Sequence, residues 1–463
     1  MTLVPPRPAP PAAAADAAVR ASTPLVLRVL FVGLMLYAAF GKGFAYAGWP
    51  PVFVGEVLLA VVVAAAVRPW AAIPRNAAAL VTAGLVGLAI VQFAVDLLVA
   101  AVPLQETLRG LAPIAYSAYA FGVFALLRDH ERRVGRHAVV ALVQRGMTRA
   151  TPWVLGAVVV LAALLLVEPA GLPTWPTSGV SLLLTKSGDI AVTLVLFASL
   201  LFSAGAAERF GARRPVLVAM WAGAALLVTF RSRGALLALI IGLVVMRPHV
   251  ARITKVALAA LAVVLTLYVS GLSIEVGGRE ISYDAVGDAV GSVLGAGPED
   301  EIGSNYLDTT NWRADWWSDI WGDVRDERMV LHGGGWGDNL ALRHGVTPSL
   351  AADDPRVLRL PHNIFFSLAG RAGLVTAIAF LLVPLLTIVR TVRGTGGGRE
   401  RPLVEAARGG VAAAVVTGFS DIYLESPQGG ILFWCLIGFL WWTAAPGIGP
   451  APPSGDRPTR GVT

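Results

Sequence analysis

The sequence predicts an all-α polytopic membrane protein of about twelve transmembrane helices, with one long external loop containing an amphipathic helix. Composition and the rhythm of apolar runs lead to that fold class. Of 463 residues, 56% are apolar and 14% charged, with a mean hydropathy of +0.68, whereas a soluble domain usually carries about 25% charged residues. Apolar runs recur from Leu25 to Ala444 with polar breaks between them, which argues against a soluble enzyme. The one cysteine, Cys435, lies inside such a run, so an internal disulfide and a cysteine-based metal cluster are both excluded. The formal charge of +7 does not point to nucleic acid, because the excess arginines sit in short loops, where orientation in a lipid bilayer explains them.

Residues 1–24 read as a disordered cytoplasmic tail, since PPRPAPP breaks the apolar core that a cleavable signal peptide needs. Residues 25–271 hold nine expected spans, at 25–40, 52–67, 77–97, 109–127, 152–168, 188–206, 215–230, 234–246 and 256–271. A long extracytoplasmic loop follows at 272–361. Three further spans, at 362–389, 403–419 and 429–444, fill residues 362–444, and 445–463 form a second cytoplasmic tail. Lys and Arg alternate with this numbering: the expected cytoplasmic segments include Arg68 and Arg75, the arginines from Arg128 to Arg149, Arg209, Arg213 and Arg214, and Arg390 to Arg401. The external loop contains 16 acidic and 7 basic side chains, a formal charge of −9, and a loop of that length is expected to be functional or disordered. Both termini are then cytoplasmic and the working loop is external, in the inner (cytoplasmic) membrane.

Within the loop, Asn311 to Arg328 places Trp312, Trp316, Ile320 and Val324 four residues apart with acids between them, the pattern of an amphipathic helix. A tryptophan face suits a sugar ring or, by the stronger expectation, the lipid headgroup layer. Glu299, Asp300 and Glu301 read as solvated charge rather than a cation site.

Cations on the external side are the informative ones, because orientation selects against them. Lys42, Arg109, Lys186, Arg231 and Arg233 map to external span ends, at headgroup depth, where guanidinium groups suit a diphosphate. Arg371, about 13 Å along a helix from His362, needs a partner, and Asp421 or Glu425 is within reach of it.

Three motifs in order resemble the O-antigen ligase and O-antigen polymerase superfamily of bacterial envelope glycosyltransferases, over residues 180 to 435. They are Arg233 with Leu237 in RSRGALLALIIG, Arg313 with Trp316 followed by GGGWGDN, and His362 with Gly370 in PHNIFFSLAG. Where members often carry an acidic residue after the histidine, this chain has Arg371. The resemblance implies metal-free, cofactor-free transfer of a glycan from a polyprenyl (undecaprenyl) diphosphate donor to a glycan or lipid-linked acceptor on the outer face of the membrane. It implies phosphate binding by Arg233 and Arg313 and acceptor activation by His362. Arg231, Arg109, Lys42, Lys186, Asn363 and Trp316 are the expected substrate-binding residues, the lipid bilayer is the expected surroundings, and no nucleic acid is expected. A transporter or flippase of lipid-linked oligosaccharide is the alternative, though its chemistry should lie at the midplane of two matched halves rather than in one external loop. Polymerase and ligase remain undivided by these residues.

Overall fold

A computed structural model describes residues 23–50, 52–67, 73–98, 103–167, 172–203, 205–246, 274–276, 279–281, 301–326, 329–345, 360–394 and 400–448. The expected span at 256–271, the first 22 residues and the acids Glu299 and Asp300 lie outside them. Helices dominate, in the order α1 (Leu25–Ala45), α2 (Val54–Ala66), α3 (Ala77–Leu98), α4 (Leu104–Ala115), α5 (Ala118–Val134), α6 (Arg136–Val167), α7 (Ser187–Phe202) and α8 (Ala206–Phe210). Then come α9 (Arg214–Arg231), α10 (Arg233–Val245), α11 (Glu301–Asp326), α12 (Leu340–Arg343), α13 (Ile364–Ala372), α14 (Leu374–Gly394), α15 (Arg401–Ser420) and α16 (Pro427–Thr443). Two small antiparallel hairpins, Gly48–Trp49 with Val52–Phe53 and Ile274–Val276 with Arg279–Ile281, are the only named strands among the described residues.

Among the described residues, six helical stretches are long and apolar enough to cross a membrane, or seven when α4 and α5 count as one bent span. Three shorter apolar helices, α2, α7 and α10, accompany them. Apolar side chains face outward on these helices, as in α3, where Leu80 is 70% exposed and Ile90 and Val91 are also open. Lipid is the solvent that such a face suits. The chain is a multi-pass helical membrane protein. At its centre stand α7, buried from Ser187 to Leu201, and α16, which brings Trp434, Trp441 and Trp442 into the core. A helix apolar on every side belongs in such an interior.

Three expected spans take a different form. The 109–127 run is two helices bent by 42°, with Pro113 in the last turn of α4, where a missing N–H weakens the helical ladder. The 152–168 run is the second half of a helix that starts at Arg136, because the arginine-bearing stretch before it is built of good helix formers. The 362–389 run breaks into α13 and α14 at Gly373, whose φ of 88° no ordinary residue holds comfortably. A Cβ there would also lie 2.6 Å from the backbone carbon of Leu331, so the break is where the loop chain crosses.

Candidate functional site

The site is built at the end of the bundle where α1, α9 and α15 stop and α7, α10 and α13 start. Asp421 caps the C-terminus of α15, its N–H bonded to the Thr417 carbonyl. One carboxylate oxygen, Oδ1, accepts from Lys186 Nζ at 2.5 Å and from its neighbour's Ile422 N–H at 2.7 Å, and lies 3.3 Å from His362 Nδ1. Burial pushes the Asp421 carboxyl up, but the His362 hydrogen bond and the Lys186 charge prevail and hold it well below the usual carboxylate range. Asp421 is therefore an ionised acceptor.

His362 is set by strain and packing. Its φ of 54° is the one positive value among described non-glycine residues. Behind it the Pro361 carbonyl accepts from Trp317 Nε1 at 2.8 Å, and Trp317 stacks on Phe366. Ahead of it Asn363 caps α13, its Oδ1 accepting from the N–H groups of Phe365 and Phe366. The ring is left 16% exposed beside Asp421.

Arg313 arrives from α11, donating from Nη1 to the Ser420 carbonyl at 3.3 Å with its guanidinium over the Trp312 ring. Burial lowers its pKa and Asp421 works against that shift, while its Nε is buried with no hydrogen-bond partner among the described residues. Lys42 comes from α1, whose path breaks at Gly41 with φ 52°. A Cβ at Gly41 would lie 2.8 Å from Thr185 Oγ1 and 3.0 Å from Asp189 Oδ2, so the break lays Lys42 against the segment that carries Lys186. Lys186, Asp189 and Asp421 are the charges that act on Lys42.

The fourth approach is the N-terminus of α10. Ser232 caps it, accepting from the Ala235 N–H, and Gly234 abuts Ser420, to whose Oγ an added Cβ would come within 2.5 Å. Arg231 and Arg233 flank that cap, both half-buried, at the positive end of the helix dipole. Five segments thus bring Lys42, Lys186, Arg313, His362 and the Arg231–Arg233 turn around the Ser420–Asp421 corner.

Three expected substrate-binding residues are placed otherwise. Arg109, 50% exposed, pairs with Glu106 one helical turn away at 3.1 Å. Asn363 spends its side-chain oxygen on the helix cap. Trp316 is 1% exposed and stacked on Trp312, and it buries one face of α11 together with Ile320 and Val324. That face packs on α13, where Ile320 would touch a Cβ at Gly370, so the expectation of a headgroup-anchoring tryptophan face is corrected: the protein itself covers it.

Arg371 has the partner expected for it, Glu425, at 3.9 Å, and donates from Nε to the Asp338 carbonyl at 2.9 Å. The GGGWGDN turn locks to the same place. Gly334 and Gly335 donate to the carbonyls of Gly370 and Arg371, and the Trp336 N–H donates to Asp96 of α3 at 2.6 Å. The sequence left Asp421 and Glu425 as equal partners for Arg371. What it missed is that Asp421, ahead of the short helical turn Tyr423–Glu425, meets the histidine, while Glu425 at the end of that turn meets Arg371.

No curated protein matches the chain. Residues 217–381 match the family described as O-antigen ligase, a stretch that includes Arg231, Arg233, Arg313 and His362 while Lys42, Lys186 and Asp421 come from outside it. The resemblance of this chain to the O-antigen ligase and polymerase superfamily is thereby borne out.

Proposed function

We propose that this corner transfers a glycan from a polyprenyl diphosphate carrier to an acceptor hydroxyl, in polymerisation or ligation of a cell-surface polysaccharide at the external face of the cytoplasmic membrane. The observation that carries the reading is the His362–Asp421 pair set among cations in the segment that matches the O-antigen ligase family. Asp421 can only accept, so it selects the tautomer with the proton on Nδ1 and leaves Nε2 as a base. The acceptor oxygen attacks the anomeric carbon and its proton passes to Nε2. The bond from that carbon to the phosphate oxygen breaks, with inversion, and the electron pair leaves on the carrier diphosphate.

Arg313, Arg233 and Lys42 hold that diphosphate and match its growing charge. The unpartnered Nε of Arg313 supports this, since a buried donor gains by meeting an anionic oxygen. Fixed donors aimed at developing charge are worth about 3 to 4 kcal/mol each, enough to stand in place of a metal. The test uses purified protein with its lipid-linked donor. Transfer should survive EDTA, and Arg313→Lys should lose on the order of 10²-fold, because an ammonium has no planar fork. Abolition by EDTA with rescue by magnesium would overturn the arrangement.

A further inference from the structure

At the opposite end of the bundle, the N-terminus of α3, α5, the end of α14 and the segment after α16 enclose a cavity of about 300 Å³. Among the described residues, four of its lining side chains are arginines, Arg75, Arg128, Arg132 and Arg390, and no acidic side chain lines it. Arg128 is met by Glu131 at 2.8 Å, and Arg390 reaches the Ala444 carbonyl at 3.4 Å. Arg75 and Arg132 are exposed and have no carboxylate partner among the described residues. Asn76, also in the lining, caps α3 by accepting from the Ala79 N–H at 2.9 Å, so the positive end of a 22-residue helix borders the same space.

The charge rule for loops accounts for arginines at this end of the molecule, but not for their convergence on one hollow, where they repel each other. An anion removes that cost. Its nature follows from the walls. Exposed Ile73 forms a lip, and the helices that rise from the cavity, α3 and α14, carry outward apolar faces, with Leu80 on one and Leu385 and Val389 on the other. The cavity is separated from the His362 corner by the length of α15, about 30 Å at 1.5 Å per residue. We propose that it binds the phosphate headgroup of an anionic phospholipid, whose acyl chains lie along the exposed faces of α3 and α14.

The full-length protein, purified in detergent and titrated with mixed micelles of phosphatidylglycerol or phosphatidylcholine, tests this by native mass spectrometry. The wild type should retain phosphatidylglycerol and not phosphatidylcholine. Arg75→Gln should weaken retention about five-fold and Arg75→Gln with Arg132→Gln about 25-fold, from roughly 1 kcal/mol per basic residue near an anionic surface. Arg75 is exposed, so the single variant stays informative if the double variant fails to fold. Equal retention by the wild type and the single variant would overturn the proposal. So would displacement of the lipid by equimolar inorganic phosphate, which would make this a site for the free anion.

Discussion

His362 occupies a backbone conformation that costs a non-glycine residue about 1 to 2 kcal/mol. Glycine would relieve that cost, and on the proposed function the ring is kept for what it does beside Asp421. His362→Gly should melt at or above the parental temperature while transfer falls to the level left by the cations alone. A variant that loses stability and activity together would make the imidazole a packing group. The residue types of this corner were legible: arginines and lysines on the side expected to be external stand out because positive charge is selected against there. Asp421 was not, since an acid at the end of an apolar run looks the same whether it turns toward Arg371 or toward His362. The choice is made by a three-residue turn, Tyr423–Glu425, which no spacing in the sequence announces.

Helix α11 holds Arg313 in place through the residues that follow it. Trp316, Ile320 and Val324 are buried on one face, and Asp323 pairs with Arg343 at 3.0 Å, tying α11 to α12. Trp316→Ala should cost about 3 to 5 kcal/mol of packing, and transfer should fall with it because Arg313 loses its footing. An unchanged melting temperature would show that this face carries little of the structure. Its period was legible because tryptophans and β-branched residues at four-residue spacing have no other reason to alternate with acids. The break at Gly373 was hidden, since glycine inside an apolar run is tolerated within a helix and signals nothing alone. The bend between α4 and α5 went unread within the 109–127 run, although Pro113 stands near it, and its angle of 42° depends on what each half packs against.

Across the whole molecule, cations gather at both ends for different reasons. At the end bearing α3's N-terminus they lie where short loops orient the chain, and at the other they meet Asp421. We expect the His362 end to face outward. Since Cys435 is buried, cysteines placed at Ser304 or Gly397 report the two sides. An impermeant thiol reagent should label Ser304→Cys in intact cells and spare Gly397→Cys, and the reverse would invert the orientation. The class of fold was legible from hydropathy, which the bilayer imposes on every span. The number of spans was less so, because six described stretches pass by length while α2, α7 and α10 are shorter, and of these α7 is buried by its neighbours whereas α2 and α10 keep exposed apolar side chains such as Val57 and Val244.

The central claim is that His362, oriented by an ionised Asp421, takes the acceptor's proton while neighbouring cations hold the donor. Single-turnover transfer and donor affinity, measured on the same purified preparations of the parent, His362→Ala and Asp421→Asn, test it most directly. The expected result is donor binding within a few-fold of the parent and transfer slowed by about 10² to 10⁴ in His362→Ala, with Asp421→Asn also impaired. Transfer at the parental rate by His362→Ala, with donor still bound, would contradict the account.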